Sequence, residues 1–136
     1  MTKKVDLDKY TNFVDAVTSD PSKDFKSFIS SLELLDKQGS NINRLTTAAV
    51  GISAEGGEFM EIVKKMIFQG KPVNEENLFH LKRELGDIMW YVAQACMALD
   101  TDFNEIIEMN VDKLKSRYPG GEFDVHYSEN RKDGDV

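Results

Sequence analysis

Two long apolar series at helical spacing constrain this chain more than any other feature, because acids are set among the apolar positions of each. Leu45, Ala48, Ile52, Phe59, Ile62 and Met66 form one series; Leu78, Leu81, Leu85, Ile88, Val92, Ala95 and Leu99 form the other. Spacing of three and four residues specifies amphipathic helices, whereas strand side chains alternate every second residue. Glu55 and Glu58 fall within the first series, Glu84 and Asp87 within the second. Acids three residues apart share one side of a helix, about a turn from each other. Two such helices packed antiparallel point four carboxylates at one spot. Carboxylates that close repel unless protons or a cation neutralise them. An almost pure oxygen donor set suits Mg2+, with Mn2+ as a substitute. Di-iron bundles place a His three residues from a Glu, but the corresponding places here hold Glu58 and Asp87.

The competing reading is a solvated acidic helix face, which the glycines oppose. Gly51, Gly56 and Gly57 lie inside the first of these helices and Gly86 inside the second, where each costs about 1 kcal/mol relative to alanine. Such a cost points to close approach of a helix or a ligand.

The rest of the chain also reads as helix. Leu7, Tyr10, Val14 and Val17 give a first helix over 8–18. Asp20-Pro21, an N-cap followed by proline, opens a second that carries Phe25, Phe28, Ile29, Leu32 and Leu35 up to Gly39. The third, with the first acidic pair, opens near Asn41 and ends at Gly70-Lys71-Pro72. Asn74 caps the fourth. Asp102 with Glu105 starts a fifth in capping-box fashion, its apolar members being Phe103, Ile106, Ile107, Val111 and Leu114, and Pro119-Gly120-Gly121 closes it. The expected fold is therefore all-α, a bundle of about five helices in a single domain over 1–136. A polar tail, 124–136, is expected to be loosely attached, with Phe123 pinning its start.

Composition narrows the partners. A net charge of −7 argues against nucleic acid and anionic membrane surfaces. The most apolar run, 88–99, is interrupted by Gln94 and falls short of the ~20 residues that span a bilayer. Met1-Thr2-Lys3-Lys4 leads straight into charged residues, unlike a signal or transit peptide. A lone cysteine, Cys96, excludes an internal disulfide and fits a reducing, cytoplasmic compartment, with Cys96 as a small core residue.

Asn110, Lys113 and Arg117 fall at i, i+3 and i+7 on one face of the fifth helix, suited either to phosphate oxygens or simply to the helix dipole. Lys64 and Lys65 form a further candidate cationic pair. Trp90 and Tyr91 offer rings for stacking on a nucleobase or for core and subunit contacts. His80, a turn before Glu84, reads as surface.

Taken together, Ala54-Glu55-Gly56-Gly57-Glu58-Phe59, Glu84-Leu85-Gly86-Asp87-Ile88-Met89-Trp90-Tyr91 and Asn110-Val111-Asp112-Lys113-Leu114-Lys115-Ser116-Arg117-Tyr118-Pro119 resemble the MazG family of nucleoside triphosphate pyrophosphohydrolases over about 41–123. The resemblance implies that Glu55, Glu58, Glu84 and Asp87 hold magnesium, that Glu55 and Glu58 are catalytic, Glu55 accepting a proton from water, and that Lys64, Lys65, Asn110, Lys113 and Arg117 contact phosphates. It implies cleavage between the α and β phosphates of a nucleoside triphosphate, and a core four-helix bundle completed in a homodimer or homotetramer. In dUTP-directed relatives a further acid often precedes the first pair; Ala54 stands there, which weakens the case for dUTP and removes one possible metal ligand. Three alternatives stay open: hydrolysis of a signalling nucleotide such as guanosine tetraphosphate, pyrophosphohydrolysis of a phosphorylated metabolite, and a non-catalytic, divalent-ion-binding helical dimerisation module.

Overall fold

In the computed structural model, residues 2–131 and 134 are described; Met1 and positions 132, 133, 135 and 136 of the expected tail lie outside them. The described residues form helices without strands: α1 (Leu7–Ala16), α2 (Asp20–Lys23), α3 (Phe25–Lys37), α4 (Ile42–Phe68), α5 (Glu75–Ala98), α6 (Phe103–Arg117) and α7 (Val125–Glu129). They fall into two compact units, 1–42 and 43–136.

In the first unit, Asp6 caps α1 by accepting the Lys9 N–H at 3.0 Å. The single second helix expected from Asp20 to Gly39 is instead two, broken at Asp24. Asp24 has an extended backbone (φ −135°, ψ 123°) and accepts both the N–H and the hydroxyl of Ser27, at 3.0 and 2.8 Å. That local cap competes successfully with continuation of the helix. Ser19, not Asp20, is the N-cap of α2. Lys23 Nζ ties α2 to the end of α1, 3.3 Å from an Asp15 carboxylate oxygen and 3.1 Å from its carbonyl. Gly39, at φ 91°, terminates α3, with Ser40 N–H donating back to the Leu35 carbonyl at 3.0 Å.

The second unit contains the long helices. Asn74 caps α5 through the Asn77 N–H, and Asp102 caps α6 through the Glu105 N–H, both at 2.9 Å. The reciprocal arm of a capping box is replaced, since the Glu105 carboxylate takes the Thr101 hydroxyl. Asp100 holds the left-handed conformation (φ 53°) at the end of α5, allowing Thr101 N–H to reach the Cys96 carbonyl at 2.9 Å. Within the expected tail, Asp124 accepts the His126 N–H at 2.8 Å and starts the short α7, a helix that the polar composition concealed. Phe123 leans on Tyr118, ring centroids 5.6 Å apart, yet remains exposed.

Three contacts run along the seam between α4 and α5 and fix their antiparallel register. Arg44 meets Gln94 at one end, Gly51 meets Tyr91 in the middle, and Glu55 meets Glu84 beyond. A Cβ at Gly51 would stand 2.0–2.2 Å from carbons of the Tyr91 ring, so glycine is what lets the helices approach. The other interior glycines differ: at Gly56, Gly57 and Gly86 an added Cβ meets nothing within 4 Å. Among the described residues only Ala48, Gly51 and Cys96 are buried, which bears out the core placement of Cys96. Val50, Met60, Ile67, Phe68, Leu85, Met89, Trp90 and Met97 are exposed, leaving much of the apolar surface of α4 and α5 uncovered.

Candidate metal centre

Glu55 on α4 and Glu84 and Asp87 on α5 converge: each offers one carboxylate oxygen, and these oxygens lie within 4.8 Å of one another. Glu55 and Glu84 are half-buried and Asp87 exposed, so the cluster opens to solvent on one side. Glu84 Oε2 is shielded from water and receives no hydrogen bond from the protein. A buried carboxylate oxygen without a donor is costly unless a proton or cation serves it. Glu55 supplies the second sign of the same deficit. Its pKa is raised, first by the hydrogen bond it shares with Glu84, then by desolvation, then by the negative charges of Glu84, Asp87 and Glu58. Two carboxylates can share a hydrogen bond only by holding a proton between them. A divalent cation relieves both conditions, and three oxygen donors with an open side fit Mg2+ or Mn2+, which keep water in their coordination shells.

Glu58 stands outside this group. It is exposed, one turn along α4, close enough for its charge to act on Glu55. Lys64 and Lys65 both pair with Glu61, at 3.0 and 3.5 Å, and through them Glu61 is held below its ordinary pKa. Asn110, Lys113 and Arg117 lie on α6, Arg117 half-buried and the other two exposed, and both cations are engaged with other groups of the chain. A cavity of about 320 Å³ beside α6 is lined by Val111, Leu114, Tyr118 and Phe123 with Lys115 and Glu122, and none of the three phosphate candidates borders it. Trp90 is exposed and meets Tyr91 edge-on at 4.9 Å, while the Tyr91 ring is committed to packing over Gly51. His80 is exposed, 3.8 Å from Glu76, as its surface reading requires.

Sequence reasoning missed Arg44 and Gln94, whose side chains meet at 2.8 Å. Nothing local signals a contact between residues fifty positions apart. It also missed Glu61, although its spacing of three and four residues from the two lysines is a readable signal for ion pairs.

Among the described residues no helix is long and apolar enough to cross a membrane. The chain is 38% identical over 82 residues to the Gene 37 protein of Mycobacterium phage L5, a match covering 60% of this chain and 72% of the phage protein. No solved structure matches. The model of the MazG nucleotide pyrophosphohydrolase domain matches residues 44–121, more than half of the chain and the whole of the carboxylate cluster, and the chain therefore belongs to the MazG nucleotide pyrophosphohydrolase family.

Proposed function

We propose that this protein hydrolyses nucleoside or deoxynucleoside triphosphates between the α and β phosphates, releasing a nucleoside monophosphate and pyrophosphate and so limiting the nucleotide pool. The observation that carries this reading is the three-carboxylate cluster with its donorless buried oxygen, set within the region matched to the family. Glu55, Glu84 and Asp87 would hold Mg2+, or Mn2+ in its place. When bound, the cation supplies positive charge against the phosphoryl oxygens and offsets the repulsion among the acids.

The chain's own groups divide the remaining work. Water attacks the α-phosphorus, the bond from that phosphorus to the bridging oxygen breaks, and pyrophosphate carries away the bonding pair. Glu55, whose proton affinity is raised by its neighbours, takes the proton from the water. Glu58 contributes charge that keeps that affinity high. Lys113 and Arg117 with Asn110 offer cations and an amide for charge developing on the phosphates. Lys64 and Lys65, both paired with Glu61, would give up that pairing to contact phosphates.

The uncovered apolar faces of α4 and α5 support assembly with a second copy, as a homodimer or homotetramer that completes a four-helix core. A nucleotide substrate and a single buried thiol fit a cytoplasmic location.

The test is pyrophosphate release from a panel of ribo- and deoxyribonucleoside triphosphates with Mg2+ or Mn2+, with guanosine tetraphosphate as a separate arm. Release of pyrophosphate from triphosphates, lost by about a hundredfold or more in Glu84→Gln, is the expected result. No release from any triphosphate contradicts the proposal, and turnover of the tetraphosphate alone would move the assignment to the signalling nucleotide.

A further inference from the structure

Beyond the carboxylates, the α4/α5 seam ends in a polar cavity of about 250 Å³ lined by Asn43, Arg44, Thr47 and Gln94. Its lining carries fixed hydrogen-bonding capacity. Arg44 Nη1 donates to Gln94 Oε1 at 2.8 Å and lies 3.6 Å from Met97 Sδ. Because guanidinium only donates, this contact assigns the oxygen of the Gln94 amide to Arg44 and leaves its NH2 group as a donor in the cavity lining. That NH2 has no protein acceptor among the described residues. The Thr47 hydroxyl donates to the Asn43 carbonyl at 3.3 Å, which leaves its lone pairs to accept. The cavity thus sets a donor and an acceptor side by side on two different helices.

Position gives this pairing its use. Gln94 follows Asp87 by seven residues, two helical turns, which returns it to the same face about 10 Å along α5. Thr47 precedes Glu55 by eight residues, about 12 Å along α4. Between cavity and carboxylates the seam is filled by Tyr91 packed over Gly51. The separation is one that a sugar and a base span when the phosphates lie at the acids.

From this juxtaposition we infer that the Asn43–Arg44–Thr47–Gln94 cavity reads the edge of the nucleobase and favours bases that present a ring carbonyl beside a ring N–H, namely guanine, thymine and uracil. The Gln94 NH2 donates to the carbonyl, and Thr47 or the Asn43 amide oxygen accepts the N–H. Adenine offers no carbonyl, so its recognition leaves Gln94 without an acceptor. The inference rests on the proposed pyrophosphohydrolase reading for the placement of the phosphates.

The experiment compares wild type with Gln94→Leu and Gln94→Glu, the second keeping an oxygen acceptor for Arg44 while removing the donor. Thermal melting checks that both variants are folded. The kcat/KM ratio of dGTP to dATP is expected to exceed one in wild type and to fall about tenfold in both variants. A uniform change across all bases, or an unaltered ratio, overturns the inference. A parallel arm measures binding of GMP and AMP without metal by equilibrium dialysis. Should wild type release no pyrophosphate, the catalytic reading fails by itself, and the dialysis arm still decides this one. Preference for GMP that is lost in the Gln94 variants sustains base recognition, whereas equal binding of GMP and AMP to wild type overturns it.

Discussion

The decisive property of the candidate centre resides in one residue, Glu55, which holds its proton more tightly than an ordinary glutamate because Glu84, desolvation and three neighbouring negative charges all oppose its ionisation. The sign of the pH dependence follows. A carboxyl whose folded-state pKa lies above its unfolded value of 4.5 contributes stability that is fully present below that value and is lost as pH rises through the folded value. At neutral pH the acids therefore cost stability, and a bound cation returns it by taking the proton's place. Millimolar Mn2+ should raise the melting temperature at pH 7 and do so progressively less as pH falls toward 4.5. Melting curves with and without metal across that window check it, and an equal increment at every pH would contradict it. Three of the four acids read from the sequence bring carboxylate oxygens within 4.8 Å of one another, and Glu58 lies outside that group. Spacing of three residues is identical in both pairs, yet both acids of α5 and only Glu55 of α4 join the cluster. Rotation of a helix about its own axis is decided by packing against its neighbour, which the i,i+3 rule does not contain.

At the scale of elements, α4, α5 and α6 follow their apolar periodicity and their Asn74 and Asp102 caps, because these are local signals acting within a turn or two. The α2/α3 break escaped for the converse reason. The apolar stripe from Phe25 to Leu35 lies wholly within α3 and carries no signal about residues 20–24, while the bond from Ser27 to Asp24 that starts α3 afresh is a short-range competitor with no apolar signature. Helix α7 has only five residues and one capping acid to announce it. Interior glycines in α4 and α5 raised the expectation of close approach, and Gly51 alone meets another helix. Gly51→Ala should therefore lower stability by about 1–3 kcal/mol, because the added methyl meets ring carbons of Tyr91 that are not the free end of a flexible chain. Gly86→Ala, with nothing within 4 Å of the added carbon, should instead gain up to about 1 kcal/mol from helix propensity. Urea unfolding of the two variants provides the comparison, and equal effects would remove the packing explanation for Gly51.

For the molecule as a whole, the imbalance between three buried residues among those described and the many exposed apolar side chains of α4 and α5 supports the proposed assembly with further copies of the chain. Light scattering at micromolar concentration should report a dimer or tetramer, and a fully active monomer would refute that assembly. All-helical architecture was legible in the apolar series of α1 and α3 to α6 but not at α7, and no linker-like composition marks the boundary between Ile42 and Asn43. Glu55, Glu84 and Asp87 are proposed to hold a catalytic divalent cation together, and calorimetric titration of Mn2+ into wild type, Glu84→Gln and Asp87→Asn at pH 7 tests this most directly. Saturable binding by wild type that weakens at least about tenfold in both variants is the expected result; unchanged affinity in both, with the proteins folded, would contradict it.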